Sequence, residues 1–90
     1  MSKSTAKVKI VNRLGLHARP AMTFVDAAMA FPCAIIVRRD EQEVDGKSIM
    51  MMMLLAATQG TELEISAEGE QADEAVAVLK RLVESGFGED

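Results

Sequence analysis

The chain carries one histidine, His17, in the segment Leu16-His17-Ala18-Arg19-Pro20, directly after Asn12-Arg13-Leu14-Gly15. An imidazole nitrogen is a nucleophile, and a guanidinium two residues on can fork onto phosphate oxygens. Together they could receive a phosphoryl group, hold it and release it. Pro20 fits the first turn of a helix, where its missing N–H would have had no intrahelical partner. That places His17 at or next to the N-cap, with the free backbone N–H groups of Ala18 and Arg19 close to its ring. A helix N-terminus favours negative charge and disfavours imidazolium, so the neutral, nucleophilic ring should be more available. Gly15 lets the backbone turn tightly just before the site. On the residues alone, a helix-capping or half-buried histidine without chemistry is the competing reading.

The other chemically able residues are weaker. Ser48 precedes a short apolar run and makes a good N-cap, which on its own accounts for it. Gly46-Lys47-Ser48 has the look of the end of a phosphate-binding loop, but that motif needs a glycine where Glu41 stands, and the reading fails. Cys33, alone, excludes an internal disulfide framework, fits a reducing compartment and reads as a buried structural thiol. One histidine and one cysteine are too few soft ligands for a zinc site of the Cys/His type, so neither metal nor cofactor is expected.

Ninety residues suffice for about one small core, and one domain over residues 1–90 is expected. A composition of 49% hydrophobic and 27% charged residues is that of a folded chain. With 3% aromatics the core must be built from aliphatics, alanine and the seven methionines. The net charge of −4 argues against nucleic acid. Charge is uneven: residues 1–45 carry seven basic and five acidic side chains, and 46–90 carry three and nine, which reads as a solvated acidic face in the C-terminal half. The longest apolar run, Ile49 to Ala57, is far short of a membrane span, and no secretory signal is evident, so a cytoplasmic location is expected.

The elements that must position His17 follow from periodicity. Val8 and Ile10 alternate with lysines in a strand over about 6–11, and the loop to Gly15 follows. A helix comes next, with Ala21, Phe24, Val25, Ala28 and Met29 on one side, ended by Phe31-Pro32. Ala34 to Arg39 is a strand that turns through Asp40-Glu41 into a second short strand near 42–44. Ser48 opens a short apolar helix to about Ala57, Thr61 to Ala67 alternates as a strand, and Ala72 to Val83 recurs at helical spacing until Ser85-Gly86. The order βαββαβα predicts an α+β fold, an open-faced β-sandwich with a four-stranded, mostly antiparallel sheet and three helices on one face.

Gly15-Leu16-His17-Ala18-Arg19-Pro20-Ala21 resembles the active-site signature of the HPr family, the histidine phosphocarriers of the bacterial phosphoenolpyruvate-dependent phosphotransferase system. Gly46-Lys47-Ser48-Ile49-Met50, Thr58-Gln59-Gly60-Thr61 and Ile65-Ser66-Ala67-Glu68-Gly69 resemble further blocks of the family, so the likeness spans about 6–85. It implies that His17 is phosphorylated on Nδ1 by Enzyme I and passes the group to an enzyme IIA domain, with Arg19 assisting the transfer. It implies a transiently phosphorylated carrier rather than an enzyme, working as a monomer. Ile49, Met50 and Met53 match the apolar residues that dock onto these partners, although Met51 departs from the glycine that many relatives have there. Ser48 matches a serine that HPr kinase/phosphorylase phosphorylates in some bacteria. The block from Asn12 to Met22 and the tail Ser85-Gly86-Phe87-Gly88-Glu89-Asp90 resemble the nitrogen-branch carriers (NPr), whereas Gly46 to Met50 resembles the HPr proteins that are substrates of the serine kinase. Outside the carriers, two classes compete: an interaction module in which His17 is never phosphorylated, and a small hydrolase using Ser48 or Cys33 with His17.

Overall fold

The computed structural model describes residues 2–89. Four strands, β1 (Lys3–Lys9), β2 (Ala34–Arg39), β3 (Gln42–Asp45) and β4 (Glu62–Glu68), form one sheet in the order β1-β4-β2-β3. Every neighbouring pair is antiparallel. Helices α1 (Ala18–Met29), α2 (Ile49–Leu54) and α3 (Ala72–Glu84) complete the expected order, and a 3₁₀ turn at 86–88 follows α3. The open-faced arrangement expected from alternation is therefore present, with the sheet wholly rather than mostly antiparallel.

The period of two explains the layering. In β4, Leu63, Ile65 and Ala67 are buried while Glu62 and Glu68 are exposed; in β2, Ile35 and Val37 are buried between exposed neighbours. These chains meet Ala21, Phe24, Val25 and Ala28 of α1 and Ala75, Val76, Leu79 and Val83 of α3 in one apolar cluster. The fully buried Ala21, Ala28 and Ala75 leave room for their helices to lie close to their neighbours, which is how a core almost without aromatic rings fills its space.

Several sequence expectations are corrected. The first strand runs over Lys3–Lys9 rather than 6–11, because its ladder with β4 extends from Lys3↔Glu68 to Lys9↔Glu62. Ile10 remains fully buried, but it exchanges backbone bonds with Gly60 and Thr61 beyond the ladder. The second helix stops at Leu54 rather than near Ala57: Ala56 takes a positive φ of 49°, and Arg39 Nη1 donates to the carbonyls of Leu55 and Ala56 at 2.7 and 3.0 Å. Such capping of terminal carbonyls by a cation favours a stop there. The methionines do not build the core. Of those within the described residues only Met52 is buried; Met29, expected on the packed side of α1, is exposed, as are Met22, Met50, Met51 and Met53. Met1 lies outside the described residues. The acidic C-terminal half is only partly a helix face, since Glu62, Glu64 and Glu68 of β4 stand opposite Lys9, Lys7 and Lys3 of β1.

The end of the chain reverses sharply. Gly86, Phe87 and Gly88 have φ values of 72°, 58° and 77°. These are three successive left-handed residues, a conformation that glycine adopts at little cost. Phe87 is buried, and Glu89 N–H donates to Gly86 O at 3.0 Å. This turn folds the tail back over the start of α1.

Candidate functional site

His17 is the N-cap of α1, with extended backbone (φ −83°, ψ −172°), and its carbonyl accepts the first intrahelical bond from Ala21 N–H at 3.0 Å. Pro20 lies in the first turn and is buried. The preceding loop is held from both sides. Gly15 N–H donates to Asn12 O at 3.1 Å, and Leu16 N–H donates to Ala57 O at 2.8 Å. Gly15 has φ +70°, and a Cβ there would lie 2.5 Å from Ala57 O. Only glycine fits this contact, so the cap position is set by close backbone approach as well as by helix chemistry.

The His17 side chain is about one-third exposed, at 37%, and caps no backbone N–H itself. Its Nε2 lies 2.8 Å from Glu89 Oε1. The same carboxylate oxygen accepts from Asn12 Nδ2 at 2.9 Å, and Asn12 Nδ2 also donates to Gly15 O at 2.6 Å. Asn12 is buried, and its Oδ1 has no protein partner among the described residues. Both neighbours of the amide are acceptors, which fixes the NH₂ group toward them. The hydrogen bond from His17 is the main reason the Glu89 carboxyl is held below its ordinary value; the bond from Asn12 and the nearby charges of His17 and Arg19 add to it against an opposing desolvation.

Arg19 is exposed, and its guanidinium makes no hydrogen bond or salt bridge among the described residues. It lines a shallow depression with His17, Ala18, Met22, Thr23 and Asp26. An anion seated there would meet the guanidinium, the imidazole and the N-terminal end of a twelve-residue helix. Ser48 caps α2, its Oγ accepting from Met51 N–H at 3.2 Å. On α2, Ile49, Met50 and Met53 are exposed, Met50 by 80%, while Met52 points into the core. Cys33 is buried. Neither Ser48 nor Cys33 is hydrogen-bonded to His17, whose ring partner is Glu89. No helix of the described residues is long and apolar enough to cross a membrane, and no cluster of three or more potential metal ligands occurs among them.

Local sequence reasoning misses Glu89. The first turn of α1 is free of acid, as the sequence suggests, but the tail delivers a carboxylate from seventy-two residues away. It also misses Leu14 and Met22, exposed apolar side chains in the site loop and in the depression itself. Apolar residues in a loop before the histidine and on the outer face of α1 are the available signal.

A helix-start histidine beside an exposed arginine makes an open site on this antiparallel fold rather than an enclosed pocket. Comparison with known proteins gives its family. The family described as "PTS HPr component phosphorylation site" matches residues 4–85. The phosphocarrier protein HPr of Pseudomonas aeruginosa is 49% identical over 84 residues, covering 92% of this chain and 93% of that protein. The phosphocarrier protein NPr of Escherichia coli K12 is 38% identical over the same length, with the same coverage. The crystal structure of HPr-C-His from Thermoanaerobacter tengcongensis superposes with a TM-score of 0.89 at 44% identity, covering 100% of this chain and 99% of that one. The chain belongs to the HPr family of phosphocarriers of the phosphotransferase system.

Proposed function

We propose that this protein is a histidine phosphocarrier that accepts a phosphoryl group from phospho-Enzyme I on Nδ1 of His17 and passes it to an enzyme IIA domain. The observation that carries this reading is the placement of a partly exposed His17 ring at the start of α1, beside an Arg19 unpaired among the described residues. The helix start and the guanidinium stabilise the phosphoryl oxygens without enclosing them. An open site suits a carrier, because each partner completes the transfer site around the group. The protein is then a substrate and product of its partners rather than an enzyme, and acts as a cytoplasmic monomer.

Ile49, Met50 and Met53 form the docking surface for both partners. Their exposure supports this, and so does the adaptability of methionine, which re-packs against differently shaped surfaces. Ser48 is a regulatory phosphorylation site for HPr kinase/phosphorylase where the organism has that enzyme. A phosphate there sits at a helix start, which the fold tolerates, and repels an acidic partner. The nitrogen-branch reading, in which the acceptor is a regulatory IIA protein, rests on the resemblance of Asn12 to Met22 and of the tail to those carriers, while Gly46 to Met50 resembles the HPr proteins.

Incubation with Enzyme I and labelled phosphoenolpyruvate tests the carrier reading. Acid-labile, base-stable label is expected, absent in His17→Ala and present in Ser48→Ala. Wild-type protein that takes no label from an active cognate Enzyme I overturns it. Acid-stable label from HPr kinase and ATP, lost in Ser48→Ala, is expected for the regulatory site.

A further inference from the structure

We propose that Glu89 is a positioning residue for phosphoryl transfer, its γ-carboxylate accepting the Nε2 proton of His17 so that Nδ1 carries the lone pair. The proposal rests on the carrier reading and adds to it the reason for the choice of nitrogen. A neutral imidazole has one N–H and one lone pair, and the hydrogen bond made by one nitrogen decides which is which. A carboxylate can only accept, so at 2.8 Å from Nε2 it fixes the proton there. Nδ1 has no hydrogen-bond partner among the described residues.

Three features hold Glu89 in place for this task. Asn12, buried under the loop, donates to the same oxygen at 2.9 Å. Its own Oδ1 is left without a protein partner, an arrangement that burial alone would not favour. The left-handed run from Gly86 to Gly88 turns the chain back, and buried Phe87 anchors that turn. The lowered carboxyl of Glu89 is consistent with a charged acceptor at this point.

The step balances without moving a proton. The Nδ1 lone pair forms the bond to phosphorus, and the donor's bond to phosphorus breaks with its electron pair leaving on the donor. The ring, now bonded at both nitrogens, is cationic, and its Nε2–H remains donated to the Glu89 carboxylate, which matches the new charge. Onward transfer reverses these changes, the electron pair returning to Nδ1.

The test uses the full chain and its Glu89→Ala, Glu89→Gln and Glu89→Asp variants. First, ¹⁵N NMR of the His17 ring at about pH 9, where an imidazole is neutral, is expected to give the Nε2–H form in wild type and a mixture of both forms in Glu89→Ala. Second, the rate of labelling by phospho-Enzyme I is expected to fall about 5- to 30-fold in Glu89→Ala, the loss of one charge-assisted hydrogen bond. Glu89→Gln is expected to lie between, and Glu89→Asp to recover most of the rate. Circular dichroism melts separate these effects from unfolding, since residue 89 lies beyond the last helix. A wild-type ring pattern and labelling rate in Glu89→Ala would overturn the proposal. Wild-type protein that takes no label sinks the carrier reading instead, and the ring measurement, which needs no donor, still decides the hydrogen-bond claim.

Discussion

Gly15→Ala puts the link between the loop and the histidine under the strongest test. The added methyl would sit 2.5 Å from Ala57 O and 2.9 Å from Thr58 Cα, where ordinary contact begins at 3.4 Å, so one of the two backbones must yield by most of an ångström. Two costs follow. The φ of this residue is +70°. A non-glycine residue in that region costs about 1.5 kcal/mol. Displacing Ala57 O also weakens its bond from Leu16 N–H, 2.8 Å long, at about 0.5–1.5 kcal/mol. Together the loss is about 2–3 kcal/mol, less than the roughly 5–15 kcal/mol that hold a small domain together. The variant should therefore fold, melting about 8–24 °C lower at roughly 4–8 °C per kcal/mol for a domain of this size. The consequence for chemistry is separate. Leu16 is the residue before His17, and a misplacement of about 1 Å at a reacting group can cost on the order of 100-fold in rate. Labelling by phospho-Enzyme I at about 5 °C, below the lowered melting point, should fall at least tenfold, with circular dichroism showing an intact fold. A variant that melts within about 2 °C of wild type and labels at the wild-type rate would refute both the steric reading and the dependence of His17 on this loop.

The remaining predictions concern α2 and the tail. Met52→Ala, at a fully buried site, should cost about 2–5 kcal/mol in urea unfolding. Met50 is 80% exposed. Its replacement by alanine should change stability by no more than about 0.5 kcal/mol, while weakening Enzyme I binding in titration calorimetry. Ser48→Ala removes a cap that accepts from Met51 N–H and should cost about 1 kcal/mol while His17 labelling persists. The Glu89 carboxyl is held below its ordinary value of 4.5, chiefly by the His17 hydrogen bond, so its contribution to holding the tail is present above 4.5 and lost as pH falls through the lowered value. A ¹³C carboxyl titration of Glu89 should show that lowered midpoint, and a midpoint at or above 4.5 would contradict the contact.

What can be read from the sequence depends on whether the physics is local. Alternation in Leu63, Ile65 and Ala67 reports a strand with one buried face, because the period of two is a property of the strand itself. The repeat of Ala72, Ala75, Val76, Leu79 and Val83 does the same for α3. The histidine–arginine–proline helix start is local too, and His17 is the N-cap as expected. The methionines escape such a reading because hydrophobicity alone does not say which way a six-residue helix turns. Met52 meets the core and Met50, Met51 and Met53 cannot, since residues so close along a helix point in different directions. The extent of β1 is equally hidden: Lys3 to Thr5 lack an apolar alternation and are strand only because β4 is long enough to pair with them.

The carboxylate at the site shows the same limit most sharply. Glu89 and His17 are seventy-two residues apart, and nothing in the pattern around either one refers to the other. Their contact depends on how α3 ends. An uninterrupted helix through Phe87 would carry Glu89 onward along its own axis. Gly86 and Gly88 instead take left-handed conformations that cost glycine little, and between them Phe87 accepts a strained φ in exchange for burial. Burying that ring is worth about 1.5–3 kcal/mol, which offsets the roughly 1–2 kcal/mol that a single left-handed residue costs. Serine, two glycines and a phenylalanine at a helix end look like a terminator. Their second effect, aiming the next residue at the start of α1, exists only in the presence of the packed sheet and helices that receive the ring. A site of this kind combines one residue legible from its immediate neighbours with another that only the complete fold brings to it.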